Sequence, residues 1–360
     1  MNYVDLNRPV ALIGAGQLGK MAIELWPSGV EKPIFFLDEF SSEEIQGIPI
    51  FKTSTHNPDR SIQYVLAYFK TDPKDIKNLF ETFLNQELIT IYDLLTQINS
   101  DLFSNGWRGD PANLESARAN SAYFADAESQ AIYSDVLEWR YLRKLSDLAP
   151  SSESKKYDLT KIGRNSHHYD LIIDGGSYDF SFPKSLLTSK VSWRDLIAIE
   201  PDPKSQVEVS KQIELIKSVP EFSGKCYVEK RALWSTNQGA YFYPNGLLSA
   251  RIAQIPDKSC RKVETVTLES LVLSKIGDES AEVLTKLHVE GSEWPIIDSS
   301  SEFLERDLIH DILINLSHDE DSLVKIPELL HSLGRFELFL HSHALFGEGL
   351  TLLARSKGKK

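Results

Sequence analysis

The sequence predicts an α/β protein with two domains, a smaller Rossmann-like domain followed by a larger domain with a doubly wound sheet. Three patterns predict this organisation: a glycine-rich turn near the N-terminus, apolar strands alternating with helical stretches in the second half, and a short connection between the last two strands. The chain has 360 residues, of which 41% are apolar, and exceeds what one hydrophobic core usually organises. We expect a Rossmann-like domain at 1–112, a helical linker and loop at 113–166, and a second domain at 167–360.

The N-terminal domain begins with a short apolar strand that leads into the turn Gly14-Ala-Gly16-Gln-Leu-Gly19. This turn fits the dinucleotide-binding fingerprint, and Asp38, at the end of the next strand, is placed to bind a ribose hydroxyl. Apolar segments at 48–51, 64–69 and 88–92 complete a small parallel α/β domain. The pattern predicts a nucleotide site, and the alternative is that the glycines only let a helix pack close to a strand.

The segment between the domains changes in character. From 113 to 148, apolar residues recur near helical spacing, which predicts helices that bridge the two domains; examples are Tyr133, Val136, Trp139, Leu142 and Leu145. Residues 151–166 are polar, rich in serine and lysine, and without periodicity, so we expect a loop beside a pocket.

The second domain contains five apolar segments that we interpret as strands, at 171–173, 196–199, 226–229, 284–289 and 312–316. Helical stretches between several of them predict a doubly wound parallel sheet. The last two predicted strands, at 335–341 and 349–354, are joined by only a few residues. So short a connection cannot form a parallel crossover, and these strands are expected to pair antiparallel.

Acidic residues end the first two strands of this domain, in Asp174-Gly-Gly-Ser-Tyr178 and Glu200-Pro-Asp-Pro203. A carboxylate there can hold an ammonium or hydroxyl group, glycines let the backbone approach a ligand, and Glu200 can accept two hydrogen bonds from ribose hydroxyls. The segment 231–234 follows the third strand, and the segment 286–293 ends the fourth. Ligands bind outside the carboxyl ends of strands in open α/β sheets, so a nucleoside pocket of the S-adenosylmethionine type is predicted. Any one acid could instead be a helix cap.

These residues resemble the FkbM family of S-adenosylmethionine-dependent methyltransferases. The resemblance extends over about 133–355 and follows the family's order of motifs. The N-terminal turn also resembles the Rossmann-type domain that often precedes this family's catalytic domain. The matching segments are Asp174-Gly-Gly-Ser-Tyr178, Glu200 to Pro203, Thr267-Leu-Glu-Ser-Leu271, Lys286 to Glu293, the stretch from Leu316-Ser-His318 to Ile326-Pro327, and Phe339-Leu-His341-Ser-His343.

The resemblance implies a class I methyltransferase-like sheet and an O-methyltransferase that acts on a hydroxyl of a sugar, glycan precursor or related small molecule. Its cofactor would be S-adenosylmethionine. Asp174 and Gly176, with Tyr178, would hold the amino-acid portion, Glu200 the ribose, and Ala232 with Trp234 would flank the adenine.

Three positions depart from the family pattern: Phe180 replaces a glycine, Ser177 replaces an alanine, and His288 replaces an acid. Methyl transfer to a hydroxyl requires a group that takes up the acceptor's proton. His288 is the first candidate for that general base, with Glu290 or His318 as alternatives.

We assign no metal from the sequence. His318, His341 and His343 could form a site with Glu290, but their spacing matches no specific metal motif.

Composition narrows the class of partner. The net charge of −13 disfavours nucleic acid and anionic membranes, and a small-molecule or saccharide acceptor is expected. Cys226 and Cys260 cannot build a disulfide framework, and the start of the sequence does not resemble a signal peptide, which predicts a cytoplasmic protein. A homo-oligomer is possible. The alternatives are an NAD- or nucleotide-sugar-binding oxidoreductase that uses the Gly14 motif, and a catalytically degenerate nucleotide-binding protein.

Overall fold

A computed structural model describes most of the chain. The described residues are 4–26, 28–67, 89–98, 106–143, 156–218, 222, 224–244, 250–253, 256, 258–276, 281–306, 308–343 and 349–357. Among them, no helix has the length and apolar character needed to cross a membrane.

The N-terminal domain is a parallel five-stranded sheet with its own hydrophobic core. Its described elements are β1 (Val10–Ile13), α1 (Gln17–Glu24), β2 (Phe35–Leu37), β3 (Ile50–Phe51), β4 (Gln63–Leu66), β5 (Ile89–Thr90) and α2 (Ile91–Ile98). The strands lie in the spatial order β3-β2-β1-β4-β5. The small parallel domain predicted from the sequence is therefore present.

The strand expected at 88–92 is shorter than predicted. Only Ile89–Thr90 is strand, and α2 begins at Ile91. The Thr90 backbone N–H donates to Asp93 Oδ2 (2.9 Å), and the Asp93 N–H donates to Thr90 Oγ1 (3.2 Å). This reciprocal capping starts a helix where the apolar run alone indicated strand. Residues 68, 69 and 88 of the predicted strands lie outside the described residues.

The linker contains α3 (Leu114–Ala119), α4 (Ala127–Leu137) and a π-helical turn at Glu138–Leu142. Tyr133 on α4 is buried in the core of the second domain, whereas Trp139 in the π-helical turn is buried in the N-terminal core. This segment therefore contributes side chains to both cores. Leu145 and residues 151–155 lie outside the described part of the chain.

The second domain is built on a seven-stranded sheet with the order β16-β17-β15-β14-β6-β7-β8. Five strands are parallel, and the last two form an antiparallel hairpin as predicted. The elements are β6 (His168–Gly175), α5 (Ser181–Thr188), β7 (Ser192–Ile199), α6 (Pro203–Lys217), β8 (Lys225–Glu229), β9 (Ala232–Leu233), β10 (Ala240–Tyr243), β11 (Arg251–Ile252), β12 (Arg261–Val263), β13 (Thr265–Val266), α7 (Leu268–Leu273), β14 (Glu282–Leu287), α8 (Glu293–Ser299), α9 (Ser301–Leu304), β15 (Ile309–Asn315), α10 (Glu320–Ser332), β16 (Phe336–Ser342) and β17 (Leu350–Ser356).

Helices cover both faces of this sheet, so the middle residues of its central strands are apolar on both faces. On β6, Leu171 and Ile173 pack into one core cluster and Ile172 into another, and all three are fully buried. Successive side chains of a strand point to opposite faces, which explains the unbroken apolar run. The predicted strand at 284–289 ends earlier, at Leu287, so His288 follows β14 and is not part of it.

A buried carboxylate ties β15 to its surroundings. Asp311 is fully buried, and it accepts hydrogen bonds from Arg164 Nε (2.6 Å), Tyr169 Oη (2.8 Å) and the Ser356 backbone N–H (2.9 Å). A buried charge needs partners of this kind. Arg164 thus neutralises an acid in the middle of the fold.

Candidate functional site

A cleft opens at the carboxyl edge of the seven-stranded sheet, where the sequence placed the nucleoside pocket. Of the predicted cofactor and catalytic residues, six line this cleft: Gly176, Tyr178, Glu200, Ala232, His288 and Glu290. The other three, Asp174, Trp234 and His318, lie behind or beside this lining. The structure therefore brings together residues from the ends of β6, β7, β8 and β14.

Asp174 supports the floor of the cleft and does not face it. Its side chain is fully buried, Lys286 Nζ lies 3.0 Å from Oδ1, and Ser177 Oγ donates to Oδ2 (2.6 Å). The predicted contact between Asp174 and a ligand's amino group is thus not the role that this geometry indicates. Ser177, which replaces an alanine, gains this hydrogen bond.

Lys286 is a site residue that the sequence analysis missed. Its Nζ donates to the carbonyl oxygens of Gly175 (3.1 Å) and Gly176 (2.7 Å), in addition to its ion pair with Asp174. Burial lowers the pKa of Lys286, but Asp174 outweighs that effect and the net pKa is raised. Lys286 therefore keeps its charge and fixes the glycine turn. This role follows from the register of the sheet, because Lys286 on β14 pairs with Asp174 on the adjacent strand β6.

Gly176 occupies a position that only glycine can fill. Its φ is +78°, and a Cβ atom there would lie 2.0 Å from the His288 carbonyl oxygen. Phe180, which replaces a family glycine, adopts φ +61°, but its ring is fully buried in the core cluster that also holds Phe182. The Phe180 ring does not line the cleft. This substitution therefore leaves the cleft open.

Glu200 lies at the cleft wall, with 6% of the residue exposed. Oε2 accepts the Tyr178 backbone N–H (3.0 Å), and Oε1 accepts the Asp202 N–H (2.9 Å). Burial raises the pKa of Glu200 to about 7, although both backbone hydrogen bonds act in the opposite direction. Each carboxylate oxygen retains a second lone pair, so Glu200 can still accept hydroxyl hydrogens.

The apolar side of the cleft comes from short strands that the sequence analysis did not predict. Ala232 and Leu233 of β9 line it, together with Phe242 of β10 and Ile252 of β11. Trp234, the second residue predicted to flank an adenine, follows Leu233 outside the lining. An aromatic ring and aliphatic side chains suit a planar heterocycle.

The three candidate acid–base residues form one cluster. His288 Nε2 lies 3.4 Å from Glu290 Oε1, and His318 Nε2 lies 3.5 Å from the same oxygen. His318 Nδ1 contacts Glu293 Oε1 at 2.8 Å. His288 and Glu290 follow β14, whereas His318 follows β15. Adjacent parallel strands thus deliver the cluster to the same edge of the sheet.

The protonation of the cluster does not favour a simple general base. Burial lowers the pKa of His288 to about 4. Burial also lowers the pKa of His318, but Glu293 and Glu290 outweigh it and raise that pKa well above its usual value. For Glu290, burial raises the pKa, and the charge of His318 reverses the balance and lowers it. At neutral pH, His318 is therefore the cationic member of the cluster.

The lone pair of His288 is also engaged. Asn315 Nδ2 lies 3.0 Å from His288 Nε2, and the Ser317 backbone N–H donates to Asn315 Oδ1 (2.8 Å), which sets the orientation of the amide. A neutral His288 that accepts at Nε2 carries its hydrogen on Nδ1. His288 must release Asn315 before it can accept a substrate proton.

Comparison with known proteins supports this architecture. No protein-family model and no curated protein matches the sequence. The crystal structure of methyltransferase FkbM from Methylobacillus flagellatus KT superposes with a TM-score of 0.66, at 14% identity, covering 96% of this chain and 90% of that chain. The chain has the fold of that FkbM methyltransferase. The predicted class I methyltransferase-like fold is thereby confirmed, in agreement with the resemblance noted in the sequence.

Weaker likenesses are found to precorrin-6y C5,15-methyltransferase from Geobacter metallireducens GS-15 and to the N-terminal domain of human METTL16 in complex with SAH. The first has a TM-score of 0.31 and 10% identity, and covers 57% of this chain and 86% of that one. The second has a TM-score of 0.33 and 14% identity, and covers 70% of this chain and 95% of that one.

The match to the FkbM methyltransferase structure extends over nearly the whole chain. In the N-terminal glycine turn, a Cβ atom at Gly19 would lie 2.3 Å from the Gly14 carbonyl oxygen, so the glycine permits close packing of α1 against β1. Asp38 accepts three backbone N–H groups, from Ala15, Phe40 and Ser41, each at 2.8 Å. These contacts give the motif a structural role. Its predicted nucleotide site stays a prediction.

Proposed function

We propose that the protein is an S-adenosylmethionine-dependent O-methyltransferase that acts on a hydroxyl of a sugar, glycan precursor or related small molecule. One observation carries the proposal: the fold of an FkbM methyltransferase presents, at the carboxyl edge of its sheet, a cleft with the buried Glu200 carboxylate beside the Gly176–Tyr178 turn. Ligands of open α/β sheets bind at this edge.

The cofactor would bind with its polar groups toward β6 and β7. Glu200 would accept hydrogen bonds from the ribose hydroxyls through the lone pairs that its backbone partners leave free. The amino-acid portion would lie against the Gly176 turn, which Lys286 and Asp174 hold from below. Ala232 would contact the adenine, with Trp234 just beyond it.

Methyl transfer is an in-line displacement. The acceptor oxygen forms a bond to the methyl carbon while the bond from that carbon to the sulfonium sulfur breaks, and the acceptor hydroxyl loses its proton. The protein's main contribution is to align donor and acceptor and to assist that proton loss. His288 and Glu290 line the cleft and, with His318, are the groups we propose for this assistance.

The acceptor is proposed to be a small molecule or saccharide and not a nucleic acid. The net charge of −13 would repel a polyanion. The cleft lining itself carries charges of both signs, with Lys156 and Arg251 beside Asp179 and Glu290. A cytoplasmic location and a homo-oligomeric state stay predictions.

Isothermal titration calorimetry tests the cofactor. S-adenosylhomocysteine should bind, and Glu200→Ala should weaken that binding by roughly 100-fold, because a buried charged acceptor contributes about 1.5–3 kcal/mol per hydrogen bond. The matched control is Glu337→Gln, which removes a carboxylate paired with Arg355 far along the sheet. Absence of S-adenosylhomocysteine and S-adenosylmethionine binding would contradict the proposal and favour a degenerate pocket.

The NAD-linked alternative has its own probe. A Cβ atom at Gly16 would meet nothing within 4 Å, so Gly16→Ala leaves the packing of the turn undisturbed. NAD binding that is lost in Gly16→Ala would support the alternative. His288→Ala should abolish methyl transfer and leave S-adenosylhomocysteine affinity near that of the wild type, and retained turnover would remove His288 from the mechanism.

A further inference from the structure

We propose that His288, Glu290 and His318 form a binding site for one divalent first-row transition-metal ion in the wall of the cleft. The proposal concerns the metal ion alone and does not require bound cofactor. It goes beyond methyl transfer, because it assigns one joint role to three residues that sequence reasoning treated as separate acid–base candidates.

The spacing of the donor atoms fits a shared ion. Two ligand atoms each about 2.1 Å from one metal ion, at angles of about 90–110°, lie roughly 3.0–3.5 Å apart. Glu290 Oε1 lies 3.4 Å from His288 Nε2 and 3.5 Å from His318 Nε2. One ligand atom from each residue lies within 4.8 Å of the others. Both nitrogen–oxygen distances exceed those of ordinary hydrogen bonds.

Neighbouring hydrogen bonds orient two of the ligands. His318 Nδ1 lies 2.8 Å from Glu293 Oε1, and Glu293 in turn accepts the backbone N–H groups of Val289 (2.8 Å) and Gly291 (2.9 Å). A histidine that donates one ring N–H to a carboxylate directs its other nitrogen to a metal, which is the common arrangement around metal-bound histidines. The same loop places Glu290, with φ +51°, toward His318.

Charge and access agree with a cation. The carboxylates of Glu290 and Glu293 both face His318, so two acids surround one imidazole in a buried setting. The side chains of His288 and Glu290 are 24% and 20% exposed and line the cleft. An ion held there would keep open positions toward the cleft. Two histidines and one carboxylate with open positions form a recognised site for divalent transition metals.

Two changes accompany binding of the ion: His318, the cationic member of the cluster, releases its Nε2 proton, and one hydrogen bond of His288 is replaced. Asn315 Nδ2 lies 3.0 Å from His288 Nε2, so the metal would replace that hydrogen bond. In combination with the proposed function, an acceptor hydroxyl bound to the metal would have a lowered pKa, and His288 would act as a ligand and not as a base. This consequence rests on the methyltransferase proposal, whereas metal binding does not.

Cobalt titration tests the site. Full-length protein is first treated with a chelator that is then removed, and Co²⁺ is added while visible absorption is recorded. We expect one Co²⁺ per chain with absorption typical of nitrogen and oxygen ligands, displaced by Zn²⁺. His288→Gln and Glu290→Gln should each weaken Co²⁺ binding at least tenfold. His167→Gln is the matched control, since His167 contacts the carboxylate of Glu282 outside the cleft.

The Co²⁺ titrations of the wild type and the three variants have distinct outcomes with and without the proposed site. Retention of Co²⁺ binding in His167→Gln, with loss in both cluster variants, supports the site. No binding by the wild type, or equal binding by all four proteins, overturns it. Both substituted side chains are partly exposed, and near-ultraviolet circular dichroism confirms folding; if one variant is unfolded, the other decides. Calorimetry with S-adenosylhomocysteine on the same proteins reports the proposed function independently of the metal.

Discussion

Lowering the pH should weaken cofactor binding through Glu200. Burial of the carboxylate raises its pKa to about 7; Asp202 acts in the same direction, and two backbone hydrogen bonds and Lys286 act against it. Ribose hydroxyls need the ionised form, which accepts at both oxygens. With a pKa of about 7, the Glu200 side chain is ionised in roughly nine-tenths of the molecules at pH 8 and in about one-tenth at pH 6. The dissociation constant for S-adenosylhomocysteine should therefore rise about tenfold from pH 8 to pH 6.

Calorimetric titrations at half-unit intervals between pH 6 and 8 measure this slope. Glu200→Gln cannot ionise, so its affinity should be independent of pH over this range. At pH 8 it should bind roughly 30-fold more weakly than the wild type, because an amide N–H₂ replaces one acceptor at a cost of about 2 kcal/mol. Glu337→Gln should keep the wild-type slope. A flat profile for the wild type, or the same slope in Glu200→Gln, would refute the reasoning.

Three further substitutions test the supports of the site and the fold. Gly176→Ala places a methyl group 2.0 Å from a carbonyl oxygen at φ +78°. Thermal unfolding should therefore show that the free energy of unfolding falls by about 3 kcal/mol or more, and S-adenosylhomocysteine binding should be lost. Lys286→Met leaves Asp174 charged, buried and without its cation. Chemical denaturation should therefore show that the free energy of unfolding falls by about 3–5 kcal/mol. Arg164→Met removes the cation beside the fully buried Asp311, and a smaller loss of about 1–3 kcal/mol is expected because the Arg164 side chain is 21% exposed.

Controls distinguish these effects from general damage. Asp174→Asn combined with Lys286→Met should recover part of the lost stability, since the unpaired charge is removed. Arg194→Met breaks an exposed ion pair with Asp170 and should change stability by less than about 0.5 kcal/mol. An unfolding free energy close to the wild type for Gly176→Ala would show that the turn relaxes without cost. A large loss in Arg194→Met would show that the assay does not isolate burial.

The sequence predicts the large sheet well, because burial on both faces requires several consecutive apolar residues in a strand. Residues 171–173 are fully buried within β6, and the short connection before Gly349 required an antiparallel pair. The small strands β9 to β13 have two to four residues each, which is too few for a hydrophobic period to emerge. At 88–92 a local capping interaction outweighed the apolar pattern.

At the site, strand-end acids were predictable and their orientations were not. Glu200 lines the cleft as expected, whereas Asp174 turns inward to Lys286, a partner from a distant part of the chain. That pairing depends on strand register, which one sequence does not display. The direction of the Phe180 ring likewise depends on its left-handed backbone and on the core that receives it. Position along the chain was sufficient to gather His288, Glu290 and His318 at one edge, but not to give their hydrogen-bond partners.

Helix α4 and the π-helical turn after it make the stability of each domain depend on the other. Tyr133 is anchored in one core and Trp139 in the other, and Arg143 Nη2 reaches Asp93 Oδ1 at 2.6 Å. A truncation at the predicted boundary near residue 112 would remove Trp139 from the N-terminal core. It would also remove the Arg143 guanidinium from Asp93. Neither half should therefore be obtainable as an independently folded fragment from such a cut, and heating the intact chain should give one cooperative transition in place of two.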